Sequence, residues 1–347
     1  MEVHRETSNR KLSDKKVKDL LGCSKRLVEV PYNATLAQTM NLLVANRLIA
    51  LPVAAPAGQW IGAGGTMILE FDKETGTVRK QYIGMVTMLD ILSHIAGKDD
   101  LAKKMAVPVS SVIGQSPESL SLWTLNPNTS ILDCMEIFCK GIHRALVPLD
   151  SHENTFGAEL TDTASTYRMV TQMDLLKFLT DHESELGDVL SKSVEELGAV
   201  NFNVFAITRN AKVVDAIACL KSGFLNAVPI VEDDDGSNSK TLINGLGKRV
   251  IGTFSASDLK GCHLATMETW LPLTAVEFTE LVRSSPVYGS VRELVTCHVG
   301  TPLGEAMNEA IQSHIHRVWV VDDDSLLTGV LSLTDIIRVL RLHLLAM

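Results

Sequence analysis

The stretch Thr328-Gly329-Val330-Leu331-Ser332-Leu333-Thr334-Asp335-Ile336-Ile337 reads as an apolar strand, a hydroxyl residue, an aspartate three positions on, and the start of an apolar helix. The same phrase occurs earlier as Ile83-Gly84-Met85-Val86-Thr87-Met88-Leu89-Asp90-Ile91-Leu92, as Met169-Val170-Thr171-Gln172-Met173-Asp174-Leu175-Leu176 and as Ile251-Gly252-Thr253-Phe254-Ser255-Ala256-Ser257-Asp258-Leu259. The aspartates stand at 90, 174, 258 and 335, at intervals of 84, 84 and 77 residues. So regular a spacing marks an internal repeat.

Upstream of each phrase lies a matching half-unit, a helix-period pattern running into a β-branched strand. Leu36, Met40, Leu43 and Val44 lead into Ile49-Ala50-Leu51-Pro52-Val53. Ile131, Met135, Ile137 and Phe138 lead into Ala145-Leu146-Val147-Pro148-Leu149, with Thr129 or Ser130 placed to cap the helix. Val213, Val214, Ile217 and Leu220 lead into Ala227-Val228-Pro229-Ile230-Val231, and Leu303, Met307 and Ile311 into Arg317-Val318-Trp319-Val320-Val321. Each unit is therefore expected to run strand, helix, strand, loop, strand, helix.

The 347 residues, 46% hydrophobic and 21% charged, exclude a disordered chain and suffice for about two domains of ordinary size. A net charge of −9 argues against a nucleic-acid clamp, whose surface would be broadly basic. The charged start Met1-Glu2-Val3-His4-Arg5-Glu6 has no apolar segment after it, and no apolar run is long enough to cross a bilayer. Six cysteines form no CxxC pair, which reads as buried, reduced thiols and a soluble cytoplasmic or nuclear protein. Asn33-Ala34-Thr35 and Asn128-Thr129-Ser130 are then chance matches to the glycosylation pattern. The acidic runs Glu232-Asp233-Asp234-Asp235-Gly236-Ser237-Asn238-Ser239 and Asp322-Asp323-Asp324-Ser325 read as solvated loops and lack the ligand spacing of a calcium loop. The glycine-rich insertion between Ala57 and Gln81 contains no GxGxxG, and Gly245-Leu246-Gly247-Lys248-Arg249 is no P-loop. No GxSxG, HExxH or other nucleophile–base pattern occurs, so an enzyme is not expected.

Two readings of the hydroxyl-x-x-Asp phrase stand side by side. A hydroxyl followed three residues later by a carboxylate, where a strand becomes a helix, is close to a capping box. The same helix start offers backbone donors to a phosphate, and its aspartate suits the paired hydroxyls of a ribose. His143-Arg144 and His316-Arg317, at the helix-to-strand corners of the second and fourth units, add cations suited to phosphate oxygens. Histidines such as His314 lack the carboxylate partners of a metal site.

These units resemble CBS motifs, which pair into Bateman modules, and four in a row resemble the gamma subunit of the SNF1/AMP-activated protein kinase family, with features of a short plant gamma-like subfamily. The resemblance rests on Ile315-His316-Arg317-Val318-Trp319-Val320-Val321-Asp322, on Gly329 to Ile336, on Ile142-His143-Arg144 and on Leu175-Leu176-Lys177-Phe178-Leu179, and covers roughly residues 16–343. It implies an α/β (α+β) fold in which four CBS repeats pair into two Bateman modules, near 14–185 and 194–347, forming a flat disk. In detail it implies a flexible tail 1–13, first repeat 14–100, second 101–185, third 194–264, a linker helix region 265–290 and fourth 291–347.

By the same resemblance, Asp90, Asp174, Asp258 and Asp335 bind ribose, Thr87, Thr171, Ser255 and Ser332 contact the nucleotide beside them, and His143, Arg144, His316 and Arg317 bind phosphate. The ligand would be AMP, ADP or ATP, with no required cofactor or metal. The partners would be the catalytic alpha and scaffolding beta subunits of a SNF1-related kinase, with neither nucleic acid nor membrane. The sequence departs from the family at the first corner, where Ile49 stands, at the third, Gly223-Phe224-Leu225-Asn226, and at Gln172-Met173, so phosphate neutralisation is reduced and the second and fourth clefts are favoured. The alternative is an interaction scaffold of the same fold whose clefts are mostly empty. The segment Ala275 to Val282 reads as an inter-repeat core helix or as a partner surface.

Overall fold

Local chemistry starts and stops the helices. Thr35 accepts the Gln38 N–H at 3.2 Å while the Gln38 side chain accepts the Thr35 N–H at 2.9 Å, a closed capping box at the head of the Leu36–Ala45 helix. Ser130 does half of this for the Ile131–Phe138 helix by accepting the Asp133 N–H. The computed structural model describes residues 11–22, 27–55, 82–96, 100–116, 122–149, 167–232, 240–284 and 294–347. The 57–81 insertion and the acidic run 233–239 lie outside the described residues.

The first unit carries strands β1 (Val30–Pro31), β2 (Ala50–Ala54) and β3 (Tyr82–Thr87), with helices Leu36–Ala45 and Met88–Ile95. Its first two strands pair parallel across the helix, and β2 and β3 pair antiparallel with Ala50 opposite Thr87. The second unit repeats this with β4 (Trp123–Thr124), β5 (Arg144–Pro148) and β6 (Tyr167–Thr171), then the Gln172–Thr180 helix. The third has β7 (Phe205–Thr208), β8 (Ala227–Val231) and β10 (Val250–Ser255), with a short extra strand β9 (Ile243–Asn244) on the outer edge of β7. The fourth has β11 (Thr296–Cys297), β12 (Arg317–Val321) and β13 (Leu327–Ser332), flanked by helices Leu303–Gln312 and Leu333–Ala346. The expected order of elements is present in all four units, with one departure. After Ser255 the chain makes only a 3-10 turn, Asp258–Gly261, where the others make an α-helix. The polar Lys260 stands where the first unit has Leu92, and Gly261, which stands where it has Ser93, disfavours a helix by about 1 kcal/mol.

Helices join the units in a pairing that chain order does not suggest. One core combines the first and third units around Met40, Leu43, Ile91, Ile217, Trp270 and Phe278, and another combines the second and fourth around Phe138, Leu176, Met307 and Ile337. The sheets supply the other contacts. The Tyr82 and Tyr167 rings meet edge to face at 5.5 Å between the first and second units. Trp319 Nε1 donates to Thr253 Oγ1 at 2.7 Å between the fourth and third. The two sheet-joined pairs are the two modules, and the helix-joined pairs close them into a four-membered ring.

Connecting segments strap these pairs. Leu12, assigned by sequence to the tail, is buried with Val17 in the second–fourth core, and the Val17 N–H donates to Thr129 O at 2.9 Å. The Leu101–Ala106 helix returns to the first unit, where the Leu36 N–H donates to Val107 O. Likewise the Val194 N–H bonds Thr301 O in the fourth unit, and the Val213 N–H bonds Leu273 O in the third.

Among the described residues the thiols are free, and burial pushes Cys134 up to about 12 and Cys297 up to about 11. No described helix is long and apolar enough to cross a membrane.

Candidate functional site

Strand register aligns the four corners. The hydroxyl residues Thr87, Thr171, Ser255 and Ser332 face Ala50, Arg144, Ala227 and Arg317 across the antiparallel pair. The residue after each hydroxyl donates its N–H to Ile49, His143, Asn226 or His316, the same bond in every unit. His-Arg in the second and fourth units is thus replaced by Ile49-Ala50 in the first and Asn226-Ala227 in the third.

The hydroxyl-x-x-Asp phrases form closed capping boxes in three units. Thr87 Oγ1 donates to Asp90 Oδ2 at 2.7 Å and accepts the Asp90 N–H at 3.1 Å, while the Thr87 N–H also donates to Oδ2 at 2.8 Å. Thr171 with Asp174 and Ser332 with Asp335 repeat this pattern. In the third unit the Ser255 N–H donates to Asp258 Oδ2 at 2.7 Å, but Ser255 Oγ bonds the Ser257 hydroxyl and accepts the Ser257 N–H instead. In the first, second and fourth units the hydroxyls therefore spend their donors on the carboxylates, which they orient. Capping and ligand recognition are compatible, because the box commits one carboxylate oxygen, Oδ2.

The corners converge on a central cleft enclosing about 1470 Å³, counting the space open to solvent. His143 and Arg144 reach it from the second unit, Ser255 and Asp258 from the third, and His316, Arg317 and Ser332 from the fourth; Thr87 and Ile49 close the first-unit side. Arg317 is anchored by an Nη1 donation to Ala227 O at 2.7 Å, and Asn226 Nδ2 lies 3.4 Å from His143 Nδ1. A second cleft of about 840 Å³, again counting the space open to solvent, lies between the first, second and third units and is lined by Asp90, Ser93, Lys221 and Phe224, with His143 and Arg144 shared from the corner. Burial first, then the charges of Lys104 and Lys221, hold the neighbouring His94 below the usual imidazole range.

Asp258 and Asp90 are thus brought beside the cationic corners and are themselves buried. Asp174 and Asp335 line neither cleft; Asp174 is exposed, and Asp335 Oδ1 lies 3.7 Å from Arg338. Each of these two aspartates shares its cleft with the cationic corners of other units, because the ring places each corner against a neighbouring unit.

Sequence reasoning missed Arg283 and Thr279. The Ala275–Ser284 helix buries Ala275 and Phe278 in the first–third core, as an inter-repeat helix should, but turns Thr279, Val282 and Arg283 into the central cleft. Their i, i+3, i+4 spacing was the available signal. Lys221, at the end of the Val213–Ser222 helix, was missed for the same reason. The described residues contain no cluster of three or more metal-ligating side chains.

Gln172 is buried and ties the ring together at the cleft. Its Nε2 donates to Phe138 O at 3.0 Å and to Thr334 Oγ1 at 2.9 Å in the fourth unit. Gln172→Leu should lower stability by about 1–3 kcal/mol, since it leaves buried acceptors without this donor. Urea unfolding monitored by circular dichroism measures this, and an unchanged midpoint would contradict the role.

A CBS domain model matches residues 288–342, the fourth unit. The chain is 56% identical over 341 residues to the SNF1-related protein kinase regulatory subunit gamma-like PV42b of Arabidopsis thaliana, covering 95% of this chain and 96% of that one. It is 57% identical over 335 residues to PV42a of the same plant, covering 93% and 94%. A 5'-AMP-activated protein kinase subunit gamma of Kluyveromyces lactis is 22% identical, covering 94% and 89%. Among solved structures, protein MJ1225 of Methanocaldococcus jannaschii shares the fold with a TM-score of 0.61 at 16% identity, over 93% of this chain and 99% of that one. With more than half of its residues identical along nearly the full length of both plant relatives, this ring of four CBS repeats belongs to the SNF1-related protein kinase gamma-like family, whose members are regulatory rather than catalytic.

Proposed function

We propose that the chain is a non-catalytic regulatory subunit of a SNF1-related kinase complex and takes an adenine nucleotide into its central cleft. One observation carries the ligand: Asp258 of the third unit lies in the same cleft as His316 and Arg317 of the fourth and His143 and Arg144 of the second. A carboxylate suits the paired hydroxyls of a ribose, and several cations suit a phosphate chain. The acidic protein thereby concentrates positive charge where an anion would sit. The kinase partner is supported by the names of the plant relatives. Nucleotide would regulate by binding one arrangement of the two modules more tightly than another.

Calorimetry with AMP, ADP and ATP tests the ligand. Wild type should bind at least one of them, and Asp258→Asn should weaken binding by about tenfold, the loss expected when one charged hydrogen bond becomes neutral. Co-purification with kinase alpha and beta subunits tests the partner, and failure to assemble would remove that half of the proposal. The second reading, a scaffold with empty clefts, draws on the capping boxes, which explain the aspartates without a ligand. Wild-type protein that takes up none of the three nucleotides would establish it.

A further inference from the structure

The third corner carries no base, yet both of its residues hold a neighbour's corner in place. Asn226 Nδ2 of the third unit lies 3.4 Å from His143 Nδ1 of the second, and the Ala227 carbonyl accepts from Arg317 Nη1 of the fourth at 2.7 Å. Both ends of the Asn226–His143 contact stand on pinned backbone. The Ala256 N–H donates to Asn226 O at 2.8 Å, and the Gln172 N–H donates to His143 O at 3.1 Å. Both residues are half-buried and line the central cleft.

The chemistry of the two nitrogens decides where the imidazole proton stands. An amide nitrogen donates and does not accept, so the contact is a hydrogen bond only while Nδ1 keeps its lone pair. His143 is then a neutral ring with its proton on Nε2. We propose that Asn226 is a positioning residue of the central cleft, holding His143 in this tautomer and orientation so that Nε2–H presents a neutral donor to a phosphate oxygen while Arg144 and Arg317 supply the positive charge. Asn226 and Ala227 thus serve the two cationic corners, although their own corner has no base. A carboxylate in place of the amide would do the reverse, accepting from Nδ1 and drawing the proton there. This rests on the nucleotide reading above and adds to it the residue that places one of its donors.

Nitrogen-15 NMR of the full chain, above the pH range in which imidazole titrates, reads the tautomer without any ligand. Wild type should show a protonated Nε2 and a bare Nδ1 at His143. Asn226→Asp, which keeps the side-chain shape but accepts instead of donating, should move the proton to Nδ1. Calorimetry with AMP, ADP and ATP reads the consequence. Asn226→Leu should weaken the nucleotide that wild type binds by about threefold or more, the scale of one lost neutral hydrogen bond. In a His143→Ala protein the same substitution should cost less than about twofold, since Asn226 acts through the ring. Asn226→Ala repeats the binding arm should the bulkier leucine disturb the fold, which circular dichroism checks. A proton on Nδ1 in wild type, a smaller loss in Asn226→Leu, or an equal loss in both backgrounds overturns the positioning role. Wild type that binds none of the three nucleotides overturns the nucleotide reading and the binding role of Asn226 with it, while the NMR arm still decides the hydrogen bond.

Discussion

Arg317→Ala is expected to reduce nucleotide affinity by roughly ten- to a hundredfold. A charge-assisted hydrogen bond is worth about 1.5–3 kcal/mol, and each 1.4 kcal/mol is about tenfold in affinity. Arg317 is the best placed of the cations for this, because its Nη1 donates to Ala227 O and so fixes the guanidinium plane at the central cleft. A guanidinium suits phosphate oxygens through its planar fork, and a side chain already anchored loses less freedom on meeting them. Arg317→Lys should recover only part of the affinity, since an ammonium keeps the charge but not the fork. Calorimetry of the three proteins at low and moderate salt measures this. Equal affinity in wild type and Arg317→Ala would show that the phosphate, if present, is held elsewhere.

The largest loss of stability is expected from Phe278→Ala. The ring is fully buried in the first–third core, with its centroid 5.5 Å from Trp270 and 6.0 Å from Phe254. Truncating a buried phenylalanine costs about 3–5 kcal/mol through lost burial and the cavity left behind. Phe278 also seats the helix that turns Arg283 toward the cleft, so nucleotide affinity should fall along with stability. Leu281→Ala on the same helix provides the control. Leu281 is 41% exposed, and such a substitution should change stability by no more than about 0.5 kcal/mol. Urea midpoints of the two variants decide the matter, and a Phe278→Ala loss no larger than that of Leu281→Ala would show that this core tolerates the cavity.

Much of the site was legible along the chain because its parts are local. The hydroxyl-x-x-Asp boxes close over three residues, and the helix corners are set by the few residues around them, so repeat and spacing reveal both. Arg283 was only partly legible, because the i, i+3, i+4 spacing of Thr279, Val282 and Arg283 shows that they share a face but not what that face meets. The third unit's missing helix could have been anticipated from Lys260, which interrupts the apolar period, and from Gly261, a poor helix former. The placement of the aspartates relative to the cations was not legible for a different reason. The sequence matches each aspartate with the cations of its own unit and favours the fourth and second clefts, and only tertiary contacts set Asp258 and Asp90 in clefts lined by the cationic corners of their neighbours.

By itself, the sequence determined four strand–helix units, the capped aspartates and the two cationic corners, since each arises from hydrogen bonds and apolar periods spanning only a few residues. Tertiary structure alone decided that helices pair the first unit with the third and the second with the fourth. It also decided that the corners meet at one centre. Those outcomes depend on contacts such as Arg317 with Ala227 and Gln172 with Thr334, which lie 90 and 162 positions apart. Shape and burial across such distances leave no period in the chain, so the positive charge of an acidic protein becomes a site only when the ring closes.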